Sequence, residues 1–181
     1  MRQMHHSIEG VVLVEPPRFD DARGFFSPAV ELTAFNQGQA FLRVNNSLSL
    51  HSHTLRGLHF QLPPASEAKL IRVISGSIWD VVLDLRAHSS TFGAHFGIEI
   101  SSNNRKWLYI PKGCAHGFLT LAENTEVIYL SSADYRPDLE RGIRWDDPHF
   151  KISWPAMPQH LSEKDSHWPL FDPSAPLVVN V

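Results

Sequence analysis

An arginine and a histidine lie three residues apart within the apolar segment Leu55–Gln61, which reads LRGLHFQ. An unpaired guanidinium is costly to bury, so Arg56 needs a compensating group. Side chains in a strand alternate between its two faces, which would point Arg56 and His59 in opposite directions. A β-bulge at Gly57 would bring both to one ligand. We therefore predict a bulge or a strand end here, with a histidine for proton transfer and an arginine for an anionic group.

A second histidine, His116, ends the segment Pro111–His116, which has the spacing P-x-G-x-x-H. This spacing is found in cupin-type jelly rolls, where a tight turn delivers a histidine into the mouth of the barrel. Metal-binding cupins add a His-x-His pair and a glutamate. At the corresponding position this chain has His59 followed by Phe60 and Gln61, and an amide is a poor substitute for a metal ligand. These residues favour proton transfer without a metal.

Short apolar or alternating runs, which are typical of β-strands, recur along the chain. They are Gly10–Glu15, Phe41–Ser49, Leu55–Gln61, Lys69–Ser75, Ser77–Leu85, His95–Ser101, Trp107–Ile110, Gly117–Leu121 and Glu126–Ser131. Turn residues separate them, as at Ser75-Gly76-Ser77. Short helices are predicted over about Val30–Gln37 and after Ser162, a candidate N-cap. Many short strands in a small chain predict an all-β sandwich, jelly roll or barrel.

Length and charge limit the class of protein. A chain of 181 residues has room for one domain, spanning 1–181. A net charge of −3 and scattered lysines and arginines argue against nucleic acid as a partner. No long apolar run or signal peptide is evident, so no membrane association is expected. Cys114 is the single cysteine, which fits a cytoplasmic protein.

Nine short motifs follow one another in a fixed order. They are Asp21-Ala22-Arg23-Gly24-Phe25-Phe26, Asn45-x-Ser47-x-Ser49, Leu55–Gln61, Lys69-Leu70, Trp79-Asp80-Val81, Ile110-Pro111-x-Gly113-x-Ala115-His116-Gly117-Phe118, Glu126-x-x-Tyr129, Gly142-Ile143-x-Trp145-x-Asp147-Pro148 and Leu161-Ser162-x-Lys164-Asp165. In this order they resemble the dTDP-4-dehydrorhamnose 3,5-epimerases, and the likeness extends from about Gly10 to Pro169. The resemblance implies an all-β cupin-type jelly roll with short peripheral helices, a nucleotide-diphosphate ketosugar as substrate, no cofactor or metal, and a homodimer.

The resemblance also implies a role for each site residue. His59 would be the base that removes a proton beside the sugar ketone, and Asp165 would orient its ring. Lys69 would stabilise the enolate oxygen, and Tyr129 would deliver a proton to the opposite face. Arg23 is expected to come from the neighbouring subunit. The predicted substrate-binding residues are Arg23, Phe26, Asn45, Ser47, Arg56, Gln61, His116 and Tyr135, of which His116 would pair with Asp80.

Three positions depart from the family pattern near the expected ligand. Ala29 follows the Arg23 motif where a glutamate is usual, Arg43 stands where glutamine is common, and Asp134 precedes Tyr135 where two aromatic residues are usual. These departures leave open the nucleotide base, the sugar, and whether C3, C5 or both are inverted. A 3-epimerase or an isomerase of another nucleotide-linked ketosugar is therefore an alternative.

Two further alternatives come from different classes. One is a metal-dependent cupin oxygenase using His51, His53 and His116, and the other is a sugar-nucleotide-binding module without catalysis. Single residues also have purely structural interpretations. The histidines could be satisfied interior side chains, and Asp165 lies three residues after Ser162, which is the spacing of a capping box.

Overall fold

Thirteen β-strands and one short α-helix make up the computed structural model, which describes residues 1–35, 40–174 and 179. The strands are β1 (Arg2–His5), β2 (Val12–Glu15), β3 (Phe19–Asp21), β4 (Gly24–Phe26), β5 (Arg43–Ser49), β6 (Leu55–Gln61), β7 (Lys69–Ser75), β8 (Ser77–Asp84), β9 (His95–Ser101), β10 (Trp107–Ile110), β11 (Cys114–Thr120), β12 (Thr125–Ser131) and β13 (Glu140–Gly142), and the helix is α1 (Glu163–Ser166). None of the helices in these described ranges is both long and apolar enough to cross a membrane.

The strands form two packed antiparallel sheets. One has the order β1-β2-β10-β7-β12-β5, and the other has the order β13-β6-β11-β8-β9. The separate hairpin of β3 and β4 extends from this pair. Apolar side chains from both sheets meet in the core, including Ile71 and Val73 from the first and Ile78 and Val82 from the second. This arrangement confirms the predicted all-β jelly roll.

All nine predicted strands are present, with small differences at some of their ends. The strand expected from Gly117 begins at Cys114, directly after the turn in which Gly113 adopts a φ of 82°. Strands β1, β3, β4 and β13 were not predicted, because they have only three or four residues and lack the continuous apolar run that marks the equally short β10. The helix expected over Val30–Gln37 is a 3₁₀ helix of four residues, Leu32–Phe35, and positions 36–37 lie outside the described residues.

The predicted bulge is present in β6. His59 pairs with His116 of β11, yet Arg56 pairs with Phe118, so three steps along β6 match two along β11. Gly57 accommodates the extra residue with a φ of 119°. A Cβ atom at this position would lie 2.5 Å from the Cα atom of Gly117, so only glycine fits. The bulge lets Arg56 and His59 border the same cavity, as predicted from the segment Leu55–Gln61.

Candidate active site

A cavity of about 880 Å³ opens between the two sheets, within the size range of small-molecule sites. Alternate residues of β7 and β12 face it, together with residues of β5, of the bulged strand β6, of β11 and β13, and of the segment around α1. Ten of the twelve predicted site residues line this cavity: Asn45, Ser47, Arg56, His59, Gln61, Lys69, His116, Tyr129, Tyr135 and Asp165.

His59 and Asp165 form the closest polar pair in the cavity. The imidazole Nε2 of His59 lies 2.5 Å from Oδ1 of Asp165. Burial raises the pKa of the Asp165 carboxyl, but the His59 hydrogen bond and further donors outweigh this effect and hold the pKa below its usual value. An ionised carboxylate can only accept hydrogen bonds, so Nε2 donates and the neutral ring has its lone pair on Nδ1. The pair therefore has the geometry of an oriented general base.

The helix α1 explains why Asp165 can occupy this position. Ser162 is its N-cap, and the Ser162 Oγ accepts the backbone N–H of Asp165 at 3.1 Å. The Asp165 side chain is meanwhile directed inwards and is 3% exposed. The N-cap is confirmed, because the main chain of Asp165 donates to Ser162, but its carboxylate contacts His59 instead of completing a capping box, and its catalytic role stays a prediction. The predicted final helical turn is confirmed.

Lys69 is accompanied by a carboxylate that the sequence analysis did not include. The ammonium Nζ of Lys69 lies 3.3 Å from Oε1 of Glu67, and their side chains are 12% and 13% exposed. Both line the cavity. Glu67 lies two residues before β7, outside any strand, so no strand pattern in the sequence indicated this pair.

Tyr129 lies on β12, opposite Asn45 of β5 and Ile71 of β7. Burial raises the pKa of its phenol, and the negative charge of Glu67 raises it further, while Arg43 and Arg56 act in the opposite direction. A phenol is protonated at neutral pH even at its ordinary pKa, and the raised pKa extends the protonated state to higher pH. Tyr129 is therefore suited to donate a proton within the cavity.

Glu140 and Lys164 are cavity residues that were not predicted as part of the site. The Tyr135 hydroxyl donates to Oε2 of Glu140 at 2.7 Å, and Lys164 Nζ donates to both Glu140 oxygens at 3.0 Å. Burial raises the pKa of Glu140, but these two donors outweigh it and lower the pKa overall. Lys164 belongs to the motif around Asp165, whereas Glu140 lies on β13, a strand too short for the sequence pattern to reveal.

Arg56 and Gln61 border the cavity, and hydrogen bonds to neighbouring residues hold both side chains in place. The apolar segment predicted a buried guanidinium, but Arg56 is exposed on β6 and needs no compensating charge; it donates from Nε to the Ser49 hydroxyl and from Nη2 to the Leu48 carbonyl, each at 3.1 Å. The Gln61 side chain donates to the carbonyls of Ala65 and Asp134 and accepts from the Arg136 N–H. Gln61 therefore holds the neighbouring loops in place with its amide.

His116 forms the second histidine–aspartate pair, as expected. Its Nε2 lies 2.9 Å from Oδ1 of Asp80, which is fully buried on β8. The other carboxylate oxygen, Oδ2, has no hydrogen-bond partner among the described residues. Because His116 borders the cavity and Asp80 lies behind it, the imidazole can present one nitrogen to a ligand.

Arg23 and Phe26 lie on the hairpin of β3 and β4 and are not among the residues that line the cavity. The Arg23 side chain is 90% exposed and pairs with Asp21, with Nη2 2.7 Å from Oδ2. Phe26 is 68% exposed. One chain by itself therefore does not bring these two residues together with the other ten.

The histidines of the oxygenase alternative do not form a ligand set in the described part of the chain. No group of three His, Cys, Asp or Glu side chains there is arranged to hold a metal ion. The His51 ring instead lies 4.6 Å from the ring of His160, measured between centroids, and both border the cavity.

Known proteins resemble this chain over nearly its whole length. The model of a family described as dTDP-4-dehydrorhamnose 3,5-epimerase matches residues 5–173. The dTDP-4-dehydrorhamnose 3,5-epimerase of Sinorhizobium fredii is 42% identical over 167 residues, which are 90% of this chain and 86% of that protein.

Two solved structures share the fold. The dTDP-4-dehydrorhamnose 3,5-epimerase of Bacillus anthracis, with TDP and PPi bound, has a TM-score of 0.90 at 38% identity, covering 94% of this chain and 99% of that one. The dTDP-6-deoxy-D-glucose-3,5-epimerase of Legionella pneumophila, in complex with dTDP-4-keto-L-rhamnose, has a TM-score of 0.89 at 32% identity, covering 99% and 98%.

Proposed function

The chain belongs to the dTDP-4-dehydrorhamnose 3,5-epimerase family, and we propose that His59, Lys69 and Tyr129 carry out epimerisation in the cavity between its sheets. The enzyme is a sugar-nucleotide isomerase. Its substrate is a dTDP-linked 4-keto-6-deoxyhexose, in which the C4 ketone acidifies the hydrogens at C3 and C5. Inversion at either carbon requires removal of a proton from one face and its replacement on the other.

Proton removal is assigned to His59. The unprotonated Nδ1 takes the proton from the carbon, and the electron pair of the C–H bond moves into an enolate whose charge lies on the C4 oxygen. The ring becomes an imidazolium, which the Asp165 carboxylate at 2.5 Å stabilises. The Lys69 ammonium stabilises the enolate oxygen, because a positive charge directed at developing negative charge lowers the barrier.

Proton return is assigned to Tyr129. The phenol delivers its proton to the carbanion from the face opposite His59, and the ketone is restored as the electron pair returns to carbon. The resulting phenolate and imidazolium then exchange protons with water to reset the site. No step in this scheme requires a metal or a redox cofactor.

Substrate binding is assigned to the cations and neutral donors of the rim. Arg56 presents a guanidinium with geometry suited to phosphate oxygens, and His116 offers an imidazole. Asn45 and Ser47 face the cavity from β5 and provide neutral hydrogen bonds. Tyr135 contributes an aromatic ring that is 48% exposed at the opening, where a nucleotide base could stack on it.

A homodimer would complete the site. Val44 and Leu48 project from the outer face of the edge strand β5 and are 70% and 53% exposed, which is unusual for a surface without a partner. A second copy that covers this face could bring its Arg23 and Phe26 to the cavity. Light scattering should give twice the chain mass. A monomer with full activity would contradict this part of the proposal.

The single observation that carries the function is the His59–Asp165 pair beside Lys69 and Tyr129 in one cavity. In heavy water, the enzyme should incorporate deuterium at C3 and C5 of dTDP-4-keto-6-deoxyglucose. Proton NMR measures this incorporation as the loss of the signals of the two hydrogens. His59→Asn should lower this rate by about 10²- to 10⁴-fold, while dTDP binding measured by calorimetry persists. The matched control is His88→Asn, because His88 is exposed and outside the cavity.

The same spectra decide between the alternatives. Deuterium at C3 alone would identify a 3-epimerase, and exchange with other nucleotide-linked ketosugars would reveal a different preferred substrate. Normal binding with no exchange at either carbon, tested over a panel of such sugars, would indicate a binding module and refute the proposed reaction.

A further inference from the structure

Glu67 contributes a carboxylate to the cavity that the proposed reaction does not use. Its Oε1 lies 3.3 Å from Lys69 Nζ, and its side chain is 13% exposed. Among the described residues, no hydrogen bond and no other ion pair to this carboxylate is present. A carboxylate that has lost most of its exposure to water is stabilised by a neighbouring cation, and Lys69 is the cation beside it.

Lys69 depends on the same contact for its orientation. A lysine ammonium lies at the end of a flexible four-carbon chain, and it must be fixed to act on one substrate oxygen. In the described ranges, Glu67 is the only ion-pair partner of Nζ. An ammonium already in position when the enolate forms avoids the cost of rearrangement during the reaction.

Glu67 also acts on Tyr129 through its charge. Burial is the largest cause of the raised Tyr129 pKa, and Glu67 is the next, ahead of Glu140. The other charged or titratable residues that line the cavity are Arg43, His51, Arg56, His59, Lys69, His116, Tyr135, Glu140, His160, Lys164 and Asp165. Arg43 and Arg56 favour the phenolate, so the two carboxylates counteract them.

We propose that Glu67 is a positioning residue that fixes the Lys69 ammonium in place for the enolate oxygen. This inference rests on the proposed function. The ammonium between Glu67 and the substrate neutralises the carboxylate, so that an enolate can form nearby without direct repulsion. Glu67 thereby acts on both donors of the cavity. It orients the Lys69 ammonium, which stabilises the enolate, and its negative charge raises the pKa of Tyr129, which releases its proton.

Glu67→Gln tests the inference because it keeps the side-chain shape and removes the charge. We expect kcat to fall about tenfold as Lys69 loses its orientation, with KM changing less than about threefold. The basic limb of the kcat–pH profile should move to lower pH, because the phenolate forms more readily without the neighbouring carboxylate. Glu67→Asp should restore part of both properties, since it retains the charge.

Glu99→Gln is the matched control, because it removes a carboxylate from the exposed face of β9, outside the cavity. Its kcat–pH profile should equal that of the wild type. If Glu67→Gln does not fold by circular dichroism, kcat of Glu67→Asp decides, since its shorter side chain draws the carboxylate away from Lys69. Wild-type kcat in that variant would overturn the inference.

The outcomes separate this inference from the proposed function. A wild-type enzyme that incorporates no deuterium at C3 or C5 would overturn the proposed function itself. The role of Glu67 alone would be overturned by a different result. In that case the wild-type enzyme exchanges normally, and a folded Glu67→Gln variant has the wild-type kcat and the wild-type basic limb of the kcat–pH profile.

Discussion

Asp165→Asn is the most direct test of the proposed base, because it keeps the side-chain shape and removes the negative charge. The carboxylate is 3% exposed, accepts from His59 at 2.5 Å and accepts from Trp168 Nε1 at 3.3 Å. The imidazole becomes positive only as it takes the proton, so this stabilisation is gained during the reaction. A hydrogen bond to a charged group contributes about 1.5–3 kcal/mol. At about 1.4 kcal/mol per decade of rate, kcat should fall roughly 10- to 200-fold.

The assay is the initial rate of deuterium incorporation at C3 and C5 of the sugar, measured by proton NMR at saturating substrate. KM should change little, because Asp165 contacts His59 and not the substrate. Asp146→Asn is the matched control, since Asp146 is exposed and pairs with Arg144 outside the cavity. A folded Asp165→Asn enzyme with wild-type kcat would refute the assignment of His59 and Asp165 as a coupled base.

Three further measurements test other parts of the structure. Tyr129→Phe should lower kcat for inversion by about 10²-fold or more. Deuterium exchange with retained configuration should continue, because His59 still removes protons. An equal loss of both rates would contradict the assignment of proton removal to His59 and proton return to Tyr129. Gly57→Ala should lower the thermal midpoint by roughly 5–10 °C, because its Cβ would lie 2.5 Å from Gly117 Cα, and an unchanged midpoint would argue against the bulge. Burial raises the pKa of Asp84, but the Arg86 guanidinium and two hydroxyl donors outweigh it and lower the pKa from 3.8 to about 2. The ionised carboxylate therefore stabilises the folded state above pH 4, and this stabilisation is lost as the pH falls towards 2. Asp84→Asn should therefore lower the free energy of unfolding at pH 7 by about 2 kcal/mol, and the difference from wild type should shrink in acid; a difference that is constant with pH would contradict this.

The sequence carried enough information for most strands that border the cavity, because β5, β6, β7, β11 and β12 each have seven residues, whereas the three-residue β13 was missed. The bulge in β6 was predictable for a physical reason: Arg56 and His59 could share a ligand only if Gly57 broke the alternation. The cap at Ser162 was also predictable, since a serine before a short acidic segment is a known helix start. The joint position of His59 and Asp165 could not be derived from pattern alone, and it entered through the family resemblance.

Other features depend on contacts that a linear pattern does not contain. Glu67 and Glu140 are common surface residues by type, and their burial follows from the closure of the two sheets around them. The substrate-binding role of Gln61 stays a prediction; its amide also bonds to the backbone of Ala65, Asp134 and Arg136, and the last two contacts are more than 70 residues away in sequence. The position of the β3–β4 hairpin, with Arg23, is fixed by no long-range pattern in the sequence.

His59 and Asp165 are 106 residues apart, and the carboxylate arrives on a four-residue helix that belongs to neither sheet. A nascent chain released at residue 160 would retain the whole of β1 to β13 yet lack the group that orients its base. Such a product would also lack Phe171 and Val179, which pack in the core cluster that contains Leu58 and Phe60. The C-terminal segment therefore contributes both to the packing of the second sheet and to the orientation of the base.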